Sequence, residues 1–180
     1  MKPIQLLASQ RQHLSGLLEA IQRCVYFLHA SDARIPWPLT GAHLETNKKH
    51  NDLFEALAAV NERFSKLQDT LGAAMRHSLL LSGEQADSFL KVLAIFEKFE
   101  VIKSIDDWQI ARTARNLAAH DYETDYNVVA EHFNTLHSLQ HDLYATANRF
   151  VTYCESQLAV IASTADFTTE FIEITANAPH

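Results

Sequence analysis

Apolar residues along this chain recur at intervals of three and four positions, the spacing of amphipathic helices. The first segment, about residues 4 to 30, is predicted to form one long helix. A second run, from about 43 to 80, alternates steps of four and three and predicts a long helix packed as in an antiparallel bundle. The apolar positions that define the two helices are Ile4, Leu7, Leu14, Leu17, Leu18, Ile21, Val25 and Leu28 in the first, and Leu53, Leu57, Val60, Phe64, Leu67 and Leu71 in the second.

Turn-forming residues separate these helices from each other and from a third helix. The stretch SDARIPWPLTG (31–41) carries two prolines and a glycine and predicts a linker. The stretch SGEQ (82–85) predicts a short break, with Ser82 as the N-cap of a helix over roughly 85–99. The core positions predicted for this third helix are Phe89, Val92, Leu93 and Phe96.

Two more helices are predicted in the second half of the chain. Ser104 or Asp106 is expected to cap the fourth helix, because short polar side chains accept hydrogen bonds from free backbone N–H groups. A last long helix is predicted over about 126 to 163, and the tail after it is compatible with a short helix or with a partner-binding arm. The core positions predicted on the last helix are Val129, Phe133, Leu136, Leu143, Ala147 and Phe150.

These elements predict an all-α bundle of about five helices. Only four glycines and four prolines occur in 180 residues, which disfavours a sheet protein with many turns. We expect residues 1–41 to form an N-terminal helix and linker that pack on the bundle, residues 42–165 to form the bundle, and residues 166–180 to form a tail. Internal repeats are not detected.

Composition and charge narrow the possible functions. Hydrophobic residues make up 47% and charged residues 21%, which is typical of a globular protein. The formal net charge of −7 gives no general attraction to nucleic acid, so such a role requires a local cationic site or a partner that supplies charge. No signal peptide and no run of ~18 apolar residues is found, which predicts a soluble cytoplasmic protein without a membrane segment. Cys24 and Cys154 stand in apolar surroundings and are predicted to be buried free thiols.

Polar side chains interrupt the alanine-rich fourth helix in the run WQIARTARNLAAHDYETDYN. Residues three and four apart share a helix face, so Arg112, Asn116 and His120 are predicted to form one polar stripe, with Arg115 beside it. The alanines between them allow another backbone to approach closely. An interface or a cleft therefore suits this helix better than open solvent.

Arg115 and His120 are five positions apart, about 140° around an ideal helix, so they do not converge within one straight helix. Two arrangements would bring them together. The helix could end near His120, or a two-fold axis could place the same stripe of a second copy opposite the first. We favour the second copy.

Few reactions suit a site formed by arginine, asparagine and histidine side chains. Histidine moves protons near neutral pH, and arginine meets a phosphate oxygen with paired hydrogen bonds. Together they suit metal-free RNA cleavage, in which the ribose 2′-hydroxyl attacks the adjacent phosphate. Metal-ligand spacing is absent from this stretch, so we predict neither a metal nor another cofactor.

Three other groups of basic or imidazole side chains have ordinary structural explanations. His137 and His141 lie four apart on the last helix and are predicted on a solvated face. Arg76 and His77 are predicted to end the second helix, where cations complement the helix dipole. The third group is too small to indicate a nucleic-acid patch. It consists of Lys48, Lys49 and His50.

The pattern Arg-x4-His with a polar residue after the arginine resembles the signature of the HEPN superfamily. In this chain it is formed by Arg115, Asn116 and His120, and its continuation to Tyr122 resembles more closely the HepT branch, the substrate-binding subunits that accompany minimal nucleotidyltransferases. The order of a long helix, a short helix, a loop and the motif helix also matches. The resemblance covers about residues 50 to 155.

The resemblance implies an up-and-down four-helix bundle, here with an additional N-terminal helix, that is usually a homodimer with motif helices facing across the two-fold. It implies a metal-independent endoribonuclease, often the toxin of a toxin–antitoxin pair, that acts on RNA. Arg115 and His120 would be catalytic, Asn116 would support them, and Arg112 would be an auxiliary phosphate contact. Tyr122 would match the tyrosine that a nucleotidyltransferase antitoxin modifies with AMP.

The same residues also allow interpretations in which the protein is not an enzyme. Arg115 and His120 could form an interface hydrogen-bond pair, and Tyr122 could close a helix end as a half-buried ring. The whole bundle could then be a non-catalytic HEPN binding module or scaffold that serves a nucleotidyltransferase.

Overall fold

A computed structural model of the chain describes residues 3–84, 86–117 and 125–176. Seven helices and no strand lie within these ranges, so the protein is all-α, as predicted. None of these helices combines the length and apolar character that crossing a membrane requires. The helices are α1 (Pro3–Asp32), α2 (Gly41–Thr46), α3 (Asn51–Ser82), α4 (Phe89–Lys98), α5 (Ile105–Leu117), α6 (Tyr126–Leu158) and α7 (Thr168–Ala176).

The long helix predicted over 43–80 is divided in two, and the prediction is wrong at this point. The short α2 ends at Thr46, and α3 begins only at Asn51. His50 caps α3, since its Nδ1 accepts a hydrogen bond from the backbone N–H of Leu53 at 3.2 Å. Histidine is not among the usual capping residues, so the apolar repeat alone did not reveal the break. The basic cluster that ends in His50 therefore lies in a helix–helix turn.

The predicted cap of the third helix is also wrong. Ser82 is the last residue of α3, and Gly83 follows it with φ 77°. Glycine adopts this left-handed conformation without steric cost and ends helices for that reason. The N-cap of α4 is instead Ser88, whose hydroxyl accepts from the N–H of Lys91 at 3.3 Å.

Ser104 caps α5, which confirms one of the two predicted alternatives. Its Oγ accepts from the N–H of Asp107 at 2.9 Å and donates to the Asp107 carboxylate at 2.7 Å. These two hydrogen bonds between Ser104 and Asp107 mark where α5 begins.

The last long helix ends five residues earlier than predicted, at Leu158. Ala159 takes a left-handed conformation, and the chain turns back along α1. Ser15 Oγ donates to the Ile161 carbonyl at 2.7 Å, and the N–H of Ser163 donates to the Ser15 carbonyl at 3.2 Å. These contacts with α1 bind the returning segment, and the helix α7 that follows packs on α1 and α6.

The first helix α1 runs antiparallel to α3 and shares one hydrophobic core with it. At one end Arg63 donates to the Phe27 carbonyl at 3.0 Å, and at the other end His77 donates to the Gln10 carbonyl at 2.9 Å. Leu7, one of the apolar positions that define the first predicted helix, lies in α1 and is 52% exposed near its start. The predicted apolar stripe of α3 is confirmed, because all its members are buried. These are Leu53, Leu57, Val60, Phe64, Leu67 and Leu71.

The two cysteines are both free thiols, as predicted. Cys154 on α6 is fully buried, whereas Cys24 on α1 is only half-buried. Burial raises the pKa of both thiols, that of Cys154 to about 12. The thiolate, which is the reactive form, is therefore disfavoured at both positions.

Candidate functional site

Arg115 is the motif residue that the structure places most firmly. Its Nη1 donates to the backbone carbonyl of Ser65 on α3 at 2.7 Å, and its Nη2 forms an ion pair with the Asp69 carboxylate at 2.8 Å. The arginine side chain is only 10% exposed, whereas that of Asp69 is 66% exposed. The guanidinium is thus held between two helices, with its charge shared with a carboxylate that faces solvent.

Close packing of α5 on α3 produces this position. Ala111 and Ala114 are buried in the contact, as the alanine-rich sequence predicted. The amide of Gln68 donates to the Trp108 carbonyl at 2.9 Å, which links the two helices about two turns of α5 before Arg115. Gly72 leaves room for aromatic rings, since a Cβ there would lie 3.0 Å from the Phe89 ring. Small residues therefore allow α4 and α5 to approach α3 closely.

Arg115 lies in the wall of a groove of about 540 Å³ between α1, α3, α4 and α5. The charges in this groove are mostly positive. Three arginines line it, and Asp69 is the one carboxylate among its described lining residues. The local charge is therefore opposite in sign to the net charge of −7 of the whole chain. The cationic and imidazole side chains of the groove are Arg76, Arg112, Arg115, His13 and His77.

Two of the arginines are exposed and hold no counter-ion in the part of the chain that is described. Arg76 lies over the ring of Phe89, with its guanidinium carbon 5.6 Å from the ring centre. Arg112 projects from α5 one turn before Arg115. Exposed guanidinium groups without carboxylate partners remain available to an anion.

The two histidines of the groove come from different helices and contact each other. The ring centres of His13 on α1 and His77 on α3 are 4.6 Å apart, with the rings edge to face. Nε2 of His77 carries a proton, because its partner is the Gln10 carbonyl, which only accepts hydrogen bonds. This bond fixes the orientation of the His77 ring at the α1 side of the groove.

The structural explanation predicted for Arg76 and His77 is wrong. Helix α3 continues to Ser82, and no basic residue lies in its last turn. Both side chains line the groove instead. Asp69, Gly72 and Arg76 follow each other at steps of three and four, so their common face was a detectable signal. His13 had no comparable signal, because it reaches the groove from a helix that lies far away in sequence.

The predicted motif residues fall into two sets. Arg112 and Arg115 both line the groove, whereas Asn116 is exposed on α5 and is not among the lining residues. Arg115 points to α3. It therefore lies beside the stripe of Arg112 and Asn116 and not within it, which is what the helical spacing predicted. His120 and Tyr122 lie outside the described residues.

His137 departs from the solvated face predicted for the histidines of the last helix. Its Nδ1 lies 2.8 Å from the Asp32 carboxylate, and the Trp37 ring stacks on it at 4.2 Å. This contact anchors the predicted linker to α6. Within the described ranges, no three side chains of His, Cys, Asp or Glu form a group that could hold a metal ion.

Similarity to known proteins does not add to these observations. No family model matches this chain, and no curated protein or solved structure is significantly similar to it. The charge of the groove and the Arg-x4-His-x-Tyr pattern are therefore the observations from which a function can be inferred.

Proposed function

We propose that this protein is a metal-independent endoribonuclease of the HEPN type that acts as the toxin of a toxin–antitoxin pair in the cytoplasm. The observation that carries the proposal is the cationic groove, in which Arg115 and Arg112 of the motif helix lie together in a chain of net charge −7. A phosphate-bearing substrate is the ligand class that such a local excess of guanidinium groups favours.

The proposed reaction transfers a phosphoryl group within the RNA strand, from the 5′-oxygen of one nucleotide to the 2′-oxygen of the nucleotide before it. The ribose 2′-hydroxyl attacks the adjacent phosphorus, the bond to the 5′-oxygen of the next nucleotide breaks, and a 2′,3′-cyclic phosphate forms. His120 takes the proton of the attacking hydroxyl, and the leaving 5′-oxygen takes up a proton from solvent. Arg115 stabilises the negative charge that develops on the phosphate oxygens, and Arg112 holds the strand.

The helix order supports the HEPN assignment. The long α3, the short α4, a capped loop and the motif helix α5 follow each other as the resemblance implies, and α6 supplies the last long helix. Under the proposal, α3 to α6 are the four-helix unit and α1 is an addition to it. Two copies would then face each other through α5 and complete each active site with His120 of one and Arg115 of the other.

A non-catalytic binding module is the second candidate, and one observation favours it. Arg115 is mostly buried and already paired with Asp69, as expected for a side chain that holds α5 on α3. In that case the bundle would present a substrate to a nucleotidyltransferase, and Tyr122 would be the residue that this partner modifies.

Cleavage of RNA in EDTA distinguishes the two candidates. We expect the wild-type protein to cut total RNA, and Arg115→Ala and His120→Ala each to lower the rate by at least ~100-fold. Arg63→Ala is the matched control, because Arg63 also donates to a helix carbonyl from α3 but lies outside the groove. Inert wild-type protein would favour the binding module, and full activity of His120→Ala would refute the proposed reaction.

Mixing two inactive variants tests the shared site. If Arg115 and His120 of different copies act together, a mixture of the two alanine variants regains roughly a quarter of wild-type activity, since half of the dimers carry one intact site. If one chain supplies both residues, the mixture stays inactive.

A further inference from the structure

The groove extends beyond Arg115 and Arg112 to Arg76, a side chain that the proposed reaction does not use. Arg76 lies on α3 about two turns from Asp69, toward α1 and α4. Its guanidinium rests on the Phe89 ring and has no ion pair within the described residues. Arg112 on α5 faces the same space. Two exposed cations with no counter-ion in the described residues therefore line the same groove as the paired Arg115.

The first helix forms one wall of this part of the groove. Leu17 and His13 of α1 line it, and the His13 ring contacts His77 of α3. The bond from His77 to the Gln10 carbonyl joins the two helices at this point. Helix α1 lies outside the segment that resembles HEPN proteins, so the motif by itself does not account for this wall.

The size and openness of the groove suit a strand and not a deeply enclosed ligand. Its volume of about 540 Å³ exceeds the space that one phosphate group needs. Pockets of roughly 300–1,000 Å³ hold molecules of the size of a nucleotide. Guanidinium groups at the rim would meet phosphate oxygens while the rest of the ligand continues into solvent.

We propose that Arg76 and Arg112 bind a phosphodiester of the RNA strand next to the one that is cut, in a subsite whose outer wall is α1. This inference rests on the proposed function, because its ligand is the RNA substrate. Arg76 and Arg112 are binding residues in this subsite, and Arg115 remains the residue that meets the reacting phosphate.

The test is binding of a short 2′-O-methyl RNA, which cannot be cleaved by attack of its 2′-oxygen, measured by fluorescence anisotropy over a range of salt concentrations. We expect the double variant Arg76→Gln, Arg112→Gln to raise Kd at least tenfold at low salt. The magnitude of the slope of log K against log salt should fall by about 0.7, since the two arginines bind one phosphodiester and each single-strand phosphate contact contributes about 0.7. Both arginines are exposed, so the variant should fold.

A double variant with the same change in net charge is the control. Arg23 is an exposed arginine whose guanidinium carbon lies 5.9 Å from the Phe27 ring centre, a match for Arg76 on Phe89. Arg34 is exposed, and neither residue lines the groove. Arg23→Gln with Arg34→Gln should leave the salt slope at the wild-type value. Equal effects of the two double variants would overturn the subsite, because they would indicate unspecific attraction.

A carboxylate introduced on α1 tests whether this helix forms the outer wall of the phosphodiester subsite. His13→Glu should weaken binding of the same RNA several-fold, whereas His29→Glu, at an exposed position on the same helix outside the groove, should not. Equal binding by these two variants would remove α1 from the subsite.

Failure of this inference is distinguishable from failure of the proposed function. If wild-type protein cuts RNA and the Arg76→Gln, Arg112→Gln variant keeps the wild-type Kd and slope, the subsite alone is wrong. If wild-type protein neither binds nor cuts RNA, both proposals are wrong. Displacement of the bound RNA by micromolar AMP or inorganic phosphate would assign the groove to a free phosphate compound and overturn the RNA subsite.

Discussion

Arg115 and Asp69 form an ion pair of 2.8 Å in which the arginine is buried against α3 and the carboxylate is exposed to solvent. The pair stands at the edge of a groove in which the other charged side chains are cations. The carboxylate therefore holds Arg115 in place and at the same time lowers the positive charge that an incoming phosphate meets. A variant without the Asp69 carboxylate therefore distinguishes a structural role of the ion pair from an electrostatic effect on phosphate binding.

Asp69→Asn should strengthen RNA binding. Loss of one negative charge near the phosphate site is worth about 1 kcal/mol at ~4 Å in water, or about fivefold in Kd. Stability should change by less than ~1 kcal/mol, because ion pairs with an exposed partner contribute little. Anisotropy with the 2′-O-methyl RNA and urea unfolding measure the two effects. Asp87→Asn, which removes an exposed carboxylate paired with Lys91 outside the groove, is the control.

The opposite pattern would favour the binding module. If Asp69→Asn lowers stability by more than ~2 kcal/mol and leaves RNA affinity unchanged, the pair serves to hold α5 on α3.

Tyr144→Phe should destabilise the protein by about 1–3 kcal/mol. The buried Tyr144 hydroxyl donates to the side-chain oxygen of Gln140 at 2.9 Å, and the Gln140 amide donates to the Asp32 carboxylate at 2.6 Å. Removal of the hydroxyl leaves a buried acceptor without a partner, which costs its full desolvation. Urea unfolding measures the change. Tyr153→Phe is the control, because no described residue is hydrogen-bonded to that hydroxyl, and an equal loss there would contradict the explanation.

Gly41→Ala should destabilise the protein by about 1–3 kcal/mol, although alanine is the better helix former. A Cβ at this position would lie 2.9 Å from the backbone nitrogen of Asn127, at the start of α6. Backbone at a capped helix end cannot move aside without breaking the cap. The shift in the midpoint of thermal unfolding gives the sign of the stability change. Gly16→Ala should act in the opposite direction by about 0.5–1 kcal/mol, since its Cβ would meet no atom within 4 Å.

Loss of stability at alkaline pH should be steeper in the wild type than in Cys154→Ala. Burial raises the pKa of the Cys154 thiol to about 12, above the ~8.5 of an exposed thiol. The folded state therefore binds this proton more tightly than the unfolded state does. The resulting stability is complete below pH ~8.5 and is lost as the pH rises toward 12, by at most about 1.4 kcal/mol per pH unit. Urea unfolding at pH 8, 9 and 10 under reducing conditions compares the two proteins, and parallel curves would refute the prediction.

Local sequence patterns predicted the helices and most of their core faces. The alternation of three and four positions predicted the buried stripe of α3 from Leu53 to Leu71, and Ser104 marked the start of α5. These features depend on neighbours within one or two turns, so a local pattern contains the information. The break before Asn51 and the end of α6 at Leu158 were not predicted, because a histidine cap and contacts with Ser15 decide them.

The residues of the candidate site also fall into those that the sequence identified and those that only the tertiary structure identified. The sequence by itself determined an all-α protein and singled out Arg112 and Arg115 on one alanine-rich helix, since charge and helical spacing can be read from the order of residues. Only the tertiary structure decided that Arg115 turns toward Asp69 and that His13 and Arg76 share its groove. The physical reason is that packing of α1 and α5 on α3 joins residues from distant parts of the chain, and periodicity within each helix does not specify which faces will meet.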